Sequence, residues 1–190
     1  MDVILSKEGV DVQESDILVS GFFQDERPLK GSSGWIDWRF NGMLSRFLME
    51  KKLTGNWKEA TLIPSQGRVI SKMILLLGLG KVRDYSYLRL RELSPYLLET
   101  LWKLNVFNIC LSFPYDEQYN VDCGKLVEVI IEGIADSADF SQDSFIKKWI
   151  EGIRLFLAEG EERFNEIFLG VETARLVVKE RHKIKIMTPS

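Results

Sequence analysis

The chain has 190 residues, 45% of them hydrophobic and 28% charged, with a formal net charge of −3. This balance is that of a soluble globular protein and excludes extended disorder or low complexity over most of the length. A mildly acidic chain carries no basic footprint for nucleic acid, and no apolar run approaches the ~20 residues that span a bilayer.

Met1-Asp2-Val3-Ile4-Leu5 is too short and too acidic for a secretory signal. The two cysteines, Cys110 and Cys123, fit a reducing compartment, so a cytoplasmic location is expected. Cys110 sits in the apolar run 106–113 and reads as a small buried hydrophobe.

Residues 3–5 predict a short first strand. Residues 16–23 predict a stronger one, with Asp16 at its head and a continuous apolar run of the kind buried on both faces. A loop punctuated by Pro28, Gly31 and Gly34 follows. A helix is expected over 35–51, with Ile36, Phe40, Met43, Leu44, Phe47 and Leu48 on one face and Ser32 or Ser33 as its cap. Residues 60–63 and 69–77 predict strands, joined by a turn at 65–68. Residues 86–104 predict a helix that Pro95 should kink or divide.

A buried strand follows at 106–113. Asp122 can cap a helix carrying Leu126, Val127, Ile130, Ile131 and Ile134. The spacing of Ile146, Trp149, Ile150, Ile153, Phe156 and Leu157 predicts a further amphipathic helix over 145–160, bounded more widely as 143–160. Residues 164–171 predict a last central strand, 172–182 a helix and 183–187 a short strand. The basic residues Lys179, Arg181, Lys183 and Lys185 are interrupted by Glu180 and two isoleucines, the pattern of a solvated face or edge strand. Alternating strands and helices predict one α/β unit over 1–190: helices on both faces of a mixed, largely parallel sheet.

Three stretches carry a resemblance. They are Asp16-Ile17-Leu18-Val19-Ser20-Gly21-Phe22-Phe23 with Leu29-Lys30-Gly31; Thr61-Leu62-Ile63-Pro64 leading to Met73-Ile74-Leu75-Leu76-Leu77-Gly78-Leu79-Gly80-Lys81; and Ile131-Glu132-Gly133. In this order they resemble the N-terminal domain of the leucyl (cytosol) aminopeptidases, peptidase family M17. The resemblance implies a macro-domain-like fold, a three-layer α/β/α sandwich. It also implies a domain that does no chemistry itself and packs at the outside of an oligomer. The family's metal-binding hallmark, Asn-Thr-Asp-Ala-Glu-Gly-Arg, does not occur in this sequence. Two-metal hydrolysis needs carboxylates converging on ions about 3.5–4 Å apart, and the acids here are dispersed. The expectation is therefore a non-catalytic module without cofactor or metal. It would act through a homo-oligomer or a protein partner, with a non-catalytic subunit of a split metallo-aminopeptidase as an alternative.

Gly31-Ser32-Ser33-Gly34 is the candidate ligand loop, because free amides at a helix start attract anions. Binding of a phosphorylated nucleotide such as ADP-ribose is the alternative function. A tight loop with a serine cap is the plainer account of the same residues. Nucleotide-binding macro domains carry an Asn-Ala-Ala-Asn stretch where this chain has Ser20-Gly21-Phe22-Phe23-Gln24, which counts against that alternative. An enzyme acting on such a ligand would draw on Asp25, Glu26 or Asp37. Gly78-Leu79-Gly80-Lys81 lacks P-loop and dinucleotide spacing. His182 shows no partner in sequence and reads as an exposed surface histidine. Trp35, Trp38 and the helix around Trp149, with Lys147 and Lys148, are either core or interface.

Overall fold

The computed structural model describes residues 1–188; Pro189 and Ser190, the end of the expected 1–190 unit, lie outside the described residues. The strands are β1 (Asp2–Ser6), β2 (Ile17–Phe22), β3 (Ala60–Pro64), β4 (Met73–Gly78), β5 (Asn108–Ser112), β6 (Arg154–Ala158) and β7 (Lys185–Met187). The helices are α1 (Gly31–Arg39), α2 (Met43–Met49), α3 (Tyr87–Lys103), α4 (Cys123–Phe140), α5 (Ser144–Gly152) and α6 (Phe164–Val178). Short 3-10 turns lie at Val82–Asp84, Glu117–Tyr119 and Glu161–Arg163. The sheet order is β3-β4-β2-β5-β6-β1-β7, parallel throughout except for the β3–β4 pair. This is the expected three-layer α/β/α sandwich.

The pleat divides the core. Ile17 and Val19 of β2 face the cluster under α3, α4 and α6, while Leu18 and Phe22 face the cluster under α1 and α2. A strand buried on both faces needs no polar alternation, hence the unbroken apolar run. Leu126, Val127, Ile130, Ile131 and Ile134 of α4 are all buried. Each such side chain contributes about 1.5–3 kcal/mol. Asp122 caps this helix as expected, accepting from the Lys125 amide at 2.8 Å.

Gly133 lets α4 approach α3: a Cβ there would collide with Ser94 Oγ. Its neighbour Glu132 is buried and paired with Arg91 of α3 at 3.0 Å. The Glu-Gly pair is thus a helix-packing device. Asp16, just outside β2, ties β2 to β5: its carboxylate accepts from the backbone and side-chain amides of Asn108, both at 2.9 Å, and from Lys72 at 2.7 Å. Burial alone would push this carboxyl up, but those hydrogen bonds overcome it and hold it at about 2.

Several expectations need correction. The helix expected over 35–51 is two helices. Asn41 (φ 53°) and Gly42 (φ 73°) take left-handed backbone between them, and α1 starts earlier, at Gly31. Lys30 is the N-cap of α1 and makes no side-chain cap bond, so neither Ser32 nor Ser33 caps it. The helix expected over 145–160 stops at Gly152 as α5, and the rest is β6. Residues 164–171, expected as a strand, begin α6, where Ile167, Val171, Ala174 and Val178 are buried at helical spacing. α3 runs through Pro95 as one helix. The short strand expected near the C-terminal end is present as β7.

Candidate functional site

Chain connectivity reverses around β2. The segment through α1 and α2 leads to β3 and β4 on one side, and α3 leads to β5 on the other. In open α/β sheets such a reversal leaves a crevice beyond the carboxyl ends of the strands. A cleft of about 210 Å³ lies there, lined by the ends of β2 and β5, the first turn of α1, the loop after β5 and Glu159 after β6.

Two of the four loop residues face this cleft. Gly31 and Ser32 line it, and the Ser32 hydroxyl lies 2.7 Å from that of buried Ser20. Ser33 is buried and donates to the Lys30 carbonyl at 2.9 Å. The Gly34 amide donates to the same carbonyl at 3.1 Å, and a Cβ at Gly34 would meet the Leu29 backbone. The tetrad is therefore one turn of helix, half of it structural. Phe22 and Phe23 are buried in the two cores and do not reach the cleft as ligand-facing groups.

Most of the remaining wall residues, Glu159, Tyr115, Asp116, Gln118 and Tyr119 among them, were not singled out in the sequence. Glu159 is the principal one. Its Oε2 accepts from the Tyr115 hydroxyl at 3.2 Å. Burial pushes its carboxyl up to about 7, although the Ser112 and Tyr115 hydroxyls pull the other way. Burial and the neighbouring Glu159 raise the Tyr115 phenol. Tyr119 is buried against Phe23 and Tyr85, and its hydroxyl donates to both oxygens of Glu26 at 2.8 and 3.0 Å. Lys30 pairs with Glu26 at 3.2 Å and donates to Gln118 at 3.0 Å.

Of the three acids considered for chemistry near the loop, only Glu26 approaches the cleft. Asp25 accepts from the Val82 amide at 2.9 Å, and Asp37 accepts from the Ser45 amide at 3.0 Å, which anchors α2. Burial pushes the Cys123 thiol up to about 12 and raises the Cys110 thiol, so both stay protonated at neutral pH. Cys110 is fully buried, as its apolar run indicated. Among the described residues no group of three His, Cys, Asp or Glu side chains could hold a metal ion. No helix in them is long and apolar enough to cross a membrane.

Three other motifs resolve plainly. In Gly78-Leu79-Gly80-Lys81, Gly80 has φ +75° and exchanges backbone bonds with Gln24 and Gly55, which knits neighbouring loops together. His182 is not an exposed histidine: its side chain is 13% accessible and its Nε2 lies 2.9 Å from Asp139 Oδ1. Asp139 and Asp136 also pair with Arg181, which ties α4 to the end of α6. Trp149 is core, its indole donating to the Val106 carbonyl at 3.2 Å; Trp38 is exposed.

The model of the cytosol aminopeptidase family N-terminal domain matches residues 19–145. A probable cytosol aminopeptidase of Sulfurihydrogenibium sp. (strain YO3AOP1) is 24% identical over 148 residues, covering 78% of this chain and 29% of that protein. The chain thus spans about a third or less of the curated relatives it matches. Among solved structures, a tomato leucine aminopeptidase mutant aligns with TM-score 0.61 and 16% identity, covering 94% of this chain and 37% of that one. The macro domain of ganglioside induced differentiation associated protein 2 aligns with TM-score 0.63 and 12% identity, covering 91% and 84%. These two likenesses establish the fold, and the family match is independent of them. The chain belongs to the cytosol aminopeptidase family, corresponding to its N-terminal domain.

Proposed function

We propose that this chain is a single non-catalytic module that works through protein contacts, with a second copy of itself as the first partner. The observation that carries the reading is an open groove of about 650 Å³ between α3, α4 and the start of α5. Pro95, Leu98, Trp102, Phe140 and Ile146 line it; Phe140 is 86% accessible, and Phe145, the chain neighbour of Ile146, is 69% accessible. An apolar centre with a polar rim is the usual anatomy of an interface. The rim carries both signs, Arg91 and Lys103 with Glu99, Asp136 and Asp143. Such a patch can be self-complementary across a two-fold axis.

Sedimentation velocity over micromolar concentrations tests the contact claim. The expected result is a mass that rises with concentration. A monomer throughout would contradict self-association, and release of amino acids from peptides with added manganese or zinc would contradict the non-catalytic claim. The second reading, macro-type binding of ADP-ribose, is favoured by Gly31 and Ser32 at the cleft. It is opposed by Glu159 and Asp116 in the same walls, because carboxylates repel a diphosphate.

A further inference from the structure

We propose that the cleft at the carboxyl ends of β2, β5 and β6 binds a small organic cation, an alkylammonium or alkylguanidinium, with Glu159 as its counter-ion. The argument begins with charge. Glu159 and Asp116 line the cleft, and among the described residues Lys30 is the one cationic side chain in its walls. Lys30 is already engaged by Glu26 and Gln118. Glu159 has hydroxyls for neighbours and, among the described residues, no ion-pair partner. A half-buried carboxylate held between hydroxyls is stabilised by a positive charge brought to it.

The walls suit the same class. Phe113, Pro114, Tyr115 and Tyr119 supply the apolar part of the lining, and aromatic rings beside a carboxylate are the usual setting for an organic cation. Tyr115 carries the Arg163 guanidinium 5.6 Å from its ring centre, and that charge is already matched by Glu166 at 2.9 Å. A cleft of about 210 Å³ has room for about seven waters, enough for a three-carbon ammonium or guanidinium.

Several groups face Glu159 or lie close enough to act on it. Ser112 and Cys110 belong to β5, Tyr115 and Asp116 to the following loop, and Cys123 to α4. Lys30 stands at the cleft wall before α1, and Arg163 lies over Tyr115 before α6. Across pH 6–8 the two thiols and Tyr115, all raised, stay protonated, and Arg163, also raised, stays charged. The carboxyl at about 7 is the group that changes. Cation binding needs its ionised form, so affinity rises about tenfold from pH 6 to pH 8.

Isothermal titration with propylammonium and propylguanidinium tests the proposal, with propanol as the neutral control and ADP-ribose as the anionic comparator. The expected result is saturable binding of at least one cation, about tenfold tighter at pH 8 than at pH 6, with no binding of propanol. Glu159→Gln should abolish it, and the exposed Asp116→Asn, chosen because it leaves the core intact, should weaken it about twofold. Absence of cation binding at pH 8, or equal binding by a folded Glu159→Gln variant, would overturn the proposal. Preference for ADP-ribose over both cations would overturn it in favour of the anion reading. Neither result bears on self-association through the α3–α4 groove.

Discussion

At the scale of single residues, Glu159 is the side chain whose position works against the fold. Its carboxyl is pushed from 4.5 up to about 7 by burial, so ionisation opposes folding. The penalty is absent below about pH 4.5, grows as pH rises to about 7, and is constant above that, at about 3 kcal/mol. Glu159→Gln should therefore raise the melting temperature by about 9 °C at pH 8 and by only about 2 °C at pH 5. Thermal unfolding followed by circular dichroism at the two pH values checks this. A difference independent of pH would contradict it. Glu159 was not legible in the sequence because the segment before it was read as helix. The available signal was Leu155-Phe156-Leu157-Ala158 ending in Glu159-Gly160, an apolar run closed by a glycine, as at Gly78. The tetrad Gly31 to Gly34 was legible as a helix start, but not the inward turn of Ser33 and Gly34, which depends on the Leu29–Lys30 backbone beside them.

At the scale of elements, the α3–α4 contact rests on close approach. Gly133 faces Ser94, and Glu132 beside it accepts from Arg91. Gly133→Val would drive two methyl groups into α3, a core overpacking that costs about 1–3 kcal/mol. Chemical denaturation should show a lower midpoint with an unchanged slope. A variant as stable as the parent would mean that the two helices can part without loss. Element types were readable where periodicity was unambiguous, as in α3, α4, β2 and β5. They were misread where two periods fit one run. Phe156 and Leu157 fall on the helical stripe of Ile146, Trp149, Ile150 and Ile153, yet as strand residues they point into opposite cores. In β6 the sheet neighbours β1 and β5 decide the outcome, and these are distant in sequence. Conversely, the run Ile167-Phe168-Leu169-Gly170-Val171 lacks polar interruption, which hid a helix whose outer face leaves Leu169 exposed.

At the scale of the whole molecule, the layer plan followed from the alternation of strands and helices, and the family from three short motifs in order; the sheet order did not, because strand neighbours such as β1 and β6 are far apart in the chain. The groove was not legible, because it depends on how α3, α4 and α5 sit together rather than on any one segment. Phe140 and Phe145 belong to neither of the predicted apolar faces; they stand at the end of α4 and the start of α5, both exposed. The central claim is that this apolar surface is where the module meets another copy. The most direct test is sedimentation velocity of the parent chain beside a Phe140→Asp, Phe145→Asp double variant at equal concentration. Both positions are exposed, so the variant should keep the parent's melting temperature within a few degrees. The account predicts an associating parent and a monomeric variant; association of the same strength in both would contradict it.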